Sequence, residues 1–220
     1  MDLSPLWLSL RVASLATLLA AVLGTLLGYL LSEGRWRGRG FVESLITLPL
    51  ILPPTVLGFY LLVTFGRQSA LGAVIERVTG VPLVFTWQAA VVAATVPAVP
   101  YVVRTARAAF EAVDPSIREA AAIDGARALS RLVLILLPLA RRGIMAGVTL
   151  AFARALGEFG ATLMVAGNIP GRTRTMPLAI YDAVQAGSFD RAGLLVAILT
   201  AVALAVLLLA GRLGAGADVR

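Results

Sequence analysis

Two charged residues of opposite sign lie inside an apolar stretch in the second half of the chain. Arg154 and Glu158 are four residues apart, a spacing that places them on one face of a helix. Each would cost about 2.5–3.5 kcal/mol at the centre of a bilayer if it stood alone, so the two are expected to satisfy each other and to face protein or water. Two interpretations stay open: a structural or gating pair, or an arginine that binds a tetrahedral oxyanion directly.

The residue types that are missing exclude most other chemistry. The 220 residues include no His and no Cys, and all 19 basic residues are Arg. A Ser-His-Asp or Cys-His nucleophile pair, a Cys/His zinc site and a disulfide therefore cannot form. Without Lys there is no phosphate-binding loop of the G-x-x-x-x-G-K-[ST] type. The chain is expected to hold no cofactor or metal and not to be an enzyme, so any ATP used in its function is hydrolysed by another chain.

Apolar residues dominate the composition, at 59% of the chain, whereas only 14% are charged. A soluble domain of this size covers its surface with many more polar side chains, so the chain is expected to lie in a membrane. Uncharged runs of about 20 residues predict an all-α, polytopic membrane protein with about five spans in a single domain, 1–220. The predicted spans are residues 8–31, 42–65, 83–103, 142–165 and 192–211, and a polar loop occupies about 104–141.

The arginines are distributed unevenly between the two faces of such a protein. Twelve lie on one side, in the segment after the first span, in the 104–142 region and at the C-terminus, and five lie on the other. By the positive-inside rule, the N-terminus is external and the C-terminus and the large loop are cytoplasmic. The net charge of +7 is explained by this orientation, and no nucleic-acid partner is expected.

The large loop carries a helix signal of its own. Asp114 precedes Pro115, the order expected of an N-cap and a proline at the first helical position. Gly125 is placed to end that helix in the left-handed conformation. A second short helix is predicted from Ala128 towards Pro138, where the proline should break it.

Seven residues in this loop have types and spacing that resemble the EAA signature of ABC importer permeases. They comprise Glu119, Ala120 and Ala121, then Gly125, Ile135 and the pair Leu137-Pro138. The stretches 48–58, 151–163 and 168–175 are similar to the ModB-type molybdate permease family, whose pattern sulfate and tungstate permeases largely share. The resemblance implies the type I importer fold and an inner-membrane homodimer. It also implies ModC-like ATPase subunits, which carry ATP and Mg and dock on the loop, and a ModA-like external molybdate-binding protein.

Prolines and hydroxyls in the second predicted span are candidates for the translocation pathway. Pro49, Pro53 and Pro54 free backbone carbonyls, which suits either a pathway or a simple packing kink. Thr47 and Thr55 flank the kink and offer hydroxyls to an oxyanion, although a helical hydroxyl commonly bonds its own i−4 carbonyl.

Small residues at fourfold spacing predict where helices approach closely. The pairs Gly24/Gly28 and Gly143/Gly147 are expected to pack helices within one subunit.

Two rival functions come from other classes. In a stand-alone anion channel or a secondary carrier, the polar loop would only connect two spans. A membrane-embedded enzyme would need a convergent acid, base or metal site, and the carboxylates outside the loop are too scattered to form one.

Overall fold

The computed structural model describes residues 2–33, 37–117, 119 and 127–215, with the backbone path alone for residue 128 and residues 210–215. Every regular element in this part of the chain is a helix, which confirms the all-α prediction. We number the helices in chain order. They are α1 (Ser4–Ser32), α2 (Arg39–Ile51), α3 (Pro54–Phe65), α4 (Ala70–Thr79), α5 (Trp87–Glu111), α6 (Ala128–Arg131, π-helical Leu132–Leu136 and Leu137–Leu156), α7 (Gly160–Ala166), α8 (Met176–Gln185) and α9 (Phe189–Ala215).

Four of the described helices are long and apolar enough to cross a membrane, namely α1, α5, α6 and α9. α1 covers the predicted span 8–31, and α9 covers 192–211. The segment predicted as one span over 42–65 instead forms two helices, α2 and α3, whose axes are bent by 114°. The break falls at Leu52 and Pro53, because Pro53 and Pro54 bring no N–H to continue the ladder of α2.

The region after the third span also differs from the sequence prediction. α5 continues through Pro97 and Pro100 to Glu111, so the connecting loop begins at Ala112 and not at 104. The next long helix begins near Leu129 and ends at Leu156, whereas the predicted span was 142–165. Residues 160–166 form the separate helix α7.

Small residues bring α1, α5 and α6 into close contact at the centre of the fold. A Cβ on Gly24 would lie 2.6 Å from Cβ of Val102 on α5, and one on Gly28 would lie 2.9 Å from Cβ of Ala106. On α6, a Cβ on Gly147 would lie 1.9 Å from Oγ1 of Thr105. Glycine is therefore required at these crossings, and the predicted packing within one subunit is confirmed.

The outer helices are held by different contacts. α3 packs on α7, where Gly58 lies against Met164 and Gly160 lies against Pro54. α8 packs on α9 and on the beginning of α1, where the N–H of Met176 donates to Oγ of the buried Ser9 over 2.7 Å. The three-helix core therefore carries both a broken helix pair and a C-terminal helix on its outside.

Candidate functional site

The predicted N-cap in the large loop is present in the structure. Oδ1 of Asp114 accepts a hydrogen bond of 2.8 Å from the N–H of Ser116, and residues 115–117 are helical. This N–H holds the pKa of the Asp114 carboxyl below its ordinary value. Glu119 is helical and exposed. Three further residues of the signature lie outside the described residues, namely Ala120, Ala121 and Gly125.

The second half of the signature lies within a continuous helix. Ile135 belongs to the π-helical turn of α6, and Leu137 and Pro138 follow it directly. The prediction that Pro138 ends a short helix is wrong. The N–H of Leu137 bonds to the carbonyl of Leu132, five residues back, and the wider turn accommodates a residue that has no N–H to donate. The loop is therefore joined to a span without a break.

An apolar cluster anchors this part of α6 to the ends of α1 and α5. Leu136 is fully buried against Tyr29 and Phe110, whose rings meet edge to face with their centroids 5.8 Å apart. Arg131 forms an ion pair with Glu33, just beyond the end of α1. Movement of the loop would therefore be transmitted to α1 and α5. Sequence reasoning did not identify this anchor, although both aromatic rings lie near predicted span ends.

A cluster of charged residues joins α2 to α5 at the same end of the molecule. Nη1 of Arg107 lies 2.5 Å from Oε1 of Glu43, and its Nε lies 2.9 Å from Oε1 of Glu111. Nη2 of Arg39 lies 2.7 Å from the same oxygen of Glu111. Glu43, Arg107 and Glu111 border a cavity of about 230 Å³, which Thr47 also lines. The i, i+4 spacing of Arg107 and Glu111 was the available sequence signal for this cluster.

The five pathway candidates of the second predicted span are arranged along the broken helix. Thr47 lies on α2 and donates its hydroxyl to the carbonyl of Glu43 over 2.7 Å, which is the i−4 bond expected of a helical threonine. Pro49 lies inside α2, Pro53 lies at the break, and Pro54 is the first residue of α3. Thr55 follows in the first turn of α3, where it is exposed.

Arg154 and Glu158 are brought together, as their spacing predicts. Nη1 of Arg154 lies 2.7 Å from Oε2 of Glu158, so the two side chains form an ion pair. The two groups are not aligned for a hydrogen bond. The Arg154 side chain is 25% exposed and that of Glu158 only 2%. Glu158 does not lie on the same helix, however. α6 ends at Leu156, and Oε1 of Glu158 accepts 2.9 Å from the N–H of Ala161 in the first turn of α7.

This arrangement assigns two structural tasks to one carboxylate. It balances the guanidinium at the end of α6, and it satisfies a backbone donor at the start of α7. Among the described residues, no group of three or more Asp or Glu side chains is positioned to hold a metal ion. The described charge pairs thus join helices to one another.

Long apolar helices, a capped polar loop at one end and charge pairs between the helices define an integral membrane protein. The sequence matches the family described as the binding-protein-dependent transport system inner membrane component over residues 20–215, and the chain belongs to this family.

Two relatives from bacteria are similar over most of their length. The chain is 46% identical over 185 residues to the putative molybdenum transport system permease protein YvgM of Bacillus subtilis, covering 84% of this chain and 82% of that protein. It is 43% identical over 178 residues to the molybdenum transport system permease protein ModB of Escherichia coli K12, covering 81% and 78%.

Solved structures share the fold. A chain of the MetNI methionine ABC transporter, in an inward-facing conformation, superposes with a TM-score of 0.76 at 18% identity and covers 96% of this chain and 94% of that one. A chain of a bacterial ABC transporter that imports the polysaccharide alginate gives 0.77 at 15% identity, covering 98% and 79%. The protein therefore has the fold of type I ABC importer permeases.

Proposed function

We propose that this chain is the membrane-spanning subunit of an ATP-driven molybdate importer. The observation that carries the proposal is the 46% and 43% identity to two proteins named as molybdenum transport permeases, over more than three quarters of each. The contacts that Leu136 and Arg131 make with the ends of α1 and α5, beside the loop, support it, since an importer needs a rigid connection between a docking surface and its spans. The chain itself contributes the pathway and the coupling, and a separate ATPase binds ATP and Mg.

The proposed complex contains two copies of this chain, two ModC-like ATPase subunits and a ModA-like external binding protein. The ATPases dock on the loop that begins at Ala112 and contains Asp114, which we call the Asp114 loop, so this end of the molecule is cytoplasmic and the N-terminus is external. Closure of the ATPases pushes the loops together, and the cluster around Leu136 passes the movement to α1 and α5 as a rigid-body rotation.

The pathway follows the broken helix α2–α3, and the Arg154–Glu158 pair serves as a structural or gating contact beside it. The alternative role for Arg154, direct binding of the oxyanion, is disfavoured by two features of the pair. The guanidinium already has a carboxylate 2.7 Å away, and that carboxylate is buried and would repel an anion. The hydroxyl of Thr55 and the interrupted backbone at the break remain the proposed polar contacts.

The proposal is tested by uptake into proteoliposomes that contain the permease, its ATPase and ATP inside, with the binding protein outside. We expect radiolabelled molybdate to accumulate only when ATP and the binding protein are both present. Liposomes with an ATPase variant that cannot hydrolyse ATP serve as the control.

Competition with unlabelled oxyanions decides the substrate. Tungstate or sulfate that displaces molybdate at lower concentration would make that anion the substrate and overturn the molybdate assignment. Accumulation without ATP would overturn the importer and favour a channel or a secondary carrier.

A further inference from the structure

A large cavity lies at the end of the molecule opposite the Asp114 loop. It is formed by the first turns of α1 and α5 together with the loop that follows α3 and the loops that precede α5 and α8, and its volume is about 830 Å³. α5 has 25 residues, so the cavity at its beginning is about 37 Å from its other end. If the Asp114 loop meets the ATPase, this cavity faces the outside of the cell.

Four arginines line the cavity, and only two of them are neutralised by carboxylates. Arg67 forms a bidentate contact with Glu76, and Nη1 of Arg174 lies 3.0 Å from Oδ2 of Asp182. Arg11 lies over the indole of Trp87, with its Cζ 3.8 Å from the ring centroid.

Arg172 is exposed on the loop before α8. No carboxylate among the described residues pairs with Arg11 or Arg172. The cavity therefore has an excess of positive charge.

Exposed aromatic rings surround these arginines. Trp7 is 75% exposed, and Phe85 is 53% exposed although it is held in a backbone conformation that non-glycine residues rarely adopt, with φ of 61°. The N–H of Phe85 donates to the carbonyl of Val165 over 2.9 Å, and the ring passes so close to Gly167 that a Cβ there would lie 3.2 Å from it. The fold thus fixes an aromatic ring at the rim of the cavity against its local preference.

Exposed aromatic rings and arginines are enriched at the centre of protein–protein interfaces. A free divalent oxyanion would need several donors converging on one point, whereas Arg11 lies over an indole and Arg172 lies on a loop. A lipid headgroup would be expected on the sides of the spans, and this cavity is built from helix ends and connecting loops.

We propose that the cavity receives an acidic, carboxylate-bearing segment of the external binding protein, with Arg11 and Arg172 as its charge partners. Phe85 and Trp7 supply the apolar contact beside them. The inference rests on the proposed function for the identity of the partner. Since both arginines are accessible, the attraction steers the binding protein to this end and weakens as salt is added.

The test measures binding of fluorescently labelled, molybdate-loaded binding protein to the permease–ATPase complex in lipid nanodiscs. Arg172→Glu should weaken binding about tenfold or more, because it replaces attraction with repulsion, and Arg11→Gln should weaken it less. Arg191→Glu is the matched control, since Arg191 is exposed near Asp2 at the same end but does not line the cavity. Its affinity should stay within about twofold of the wild type. Co-purification with the ATPase shows that each variant is assembled.

Several outcomes would overturn the inference. Wild-type affinity in Arg172→Glu would remove the cavity from the docking surface. An effect seen only in nanodiscs with phosphatidylglycerol would assign the cavity to a lipid. Binding of free molybdate to the complex, lost in Arg172→Glu, would assign it to the oxyanion. If the wild-type complex binds a sulfate-binding protein and not the molybdate-binding protein, the substrate proposal fails. The docking surface is then tested by measuring how the same arginine variants bind the sulfate-binding protein.

Discussion

The core helices and α2, the first half of the broken helix pair, are packed in opposite ways. In α1, α5 and α6, small residues allow backbones to touch, and Gly28 has both the backbone N of Arg107 and the carbonyl of Val103 within 3.0 Å of where its Cβ would be. α2 has no buried residue along its 13 positions, and its Gly40 has nothing within 4 Å of the same point. We therefore expect the core to move as one body and α2 to be the helix that changes its neighbours.

The break at Leu52 and Pro53 separates two halves that are held by different forces. α3 is fixed by close van der Waals packing on α7, where Gly160 meets Pro54. α2 is tied to α5 by the charged cluster that includes Glu43 and Arg107. Charged contacts between exposed groups form and separate at low cost, whereas interlocked backbones do not. This difference makes α2 the element expected to shift during transport.

Removing one partner of the Arg154–Glu158 pair should have the largest effect. Arg154→Ala leaves a buried carboxylate without its counter-charge, which costs about 3–5 kcal/mol in such pairs. We expect a marked loss of thermal stability and of uptake.

Glu158→Gln added to Arg154→Ala supplies the control. It removes the stranded charge and keeps an oxygen to accept from Ala161, so it should restore most of the stability. The exchange Arg154→Glu with Glu158→Arg should restore less, because arginine cannot accept that N–H. Equal stability of Arg154→Ala and the wild type would contradict a structural pair.

A methyl group added in each region should have effects of opposite sign. Gly28→Ala forces α1 away from the backbone of α5 and is expected to destabilise the protein by about 1–3 kcal/mol. Gly40→Ala meets open space in a helix and should be neutral or stabilising by up to about 1 kcal/mol. Thermal melting of both variants in detergent measures the difference. A Gly28→Ala variant as stable as Gly40→Ala would show that the core is not closely packed.

Weakening the charged cluster should have the smallest effect on stability and a visible effect on transport. Glu43→Gln removes a carboxylate whose side chain is 44% exposed, so the free energy of unfolding should fall by less than about 1 kcal/mol. If α2 shifts during transport, the uptake rate should change while the melting temperature does not. An unchanged rate in this variant, together with an unchanged melting temperature, would show that the cluster does not control α2.

The sequence predicted the elements whose signals are local. The long apolar runs, the cap at Asp114 and the pairing of Arg154 with Glu158 all depend on residues within about 20 positions of one another. The close approaches at Gly24, Gly28, Gly143 and Gly147 were also predictable, since small residues at fourfold spacing have few other uses in a membrane helix.

The features that sequence reasoning missed depend on three-dimensional packing. A proline predicts a break, but Pro138 is accommodated by a π-helical turn, whereas Pro53 and Pro54 produce a bend of 114°. The anchor of Tyr29 and Leu136 joins residues more than 100 positions apart. The cavity at the opposite end combines four separate segments, so no single stretch of sequence carries its pattern.

Single cysteines provide the most direct test of the central claim, that the Asp114 end is cytoplasmic and binds the ATPase while the opposite end is external. The natural chain has no Cys, so Ser116→Cys and Ser188→Cys can each be read without background, and both positions are exposed. With a membrane-impermeant thiol reagent on intact cells, we expect labelling at 188 and protection at 116. In inside-out vesicles stripped of ATPase, 116 should be labelled, and added ATPase should protect it but not a cytoplasmic control site elsewhere. Labelling of 116 from outside intact cells, with 188 protected, would contradict both the orientation and the coupling role.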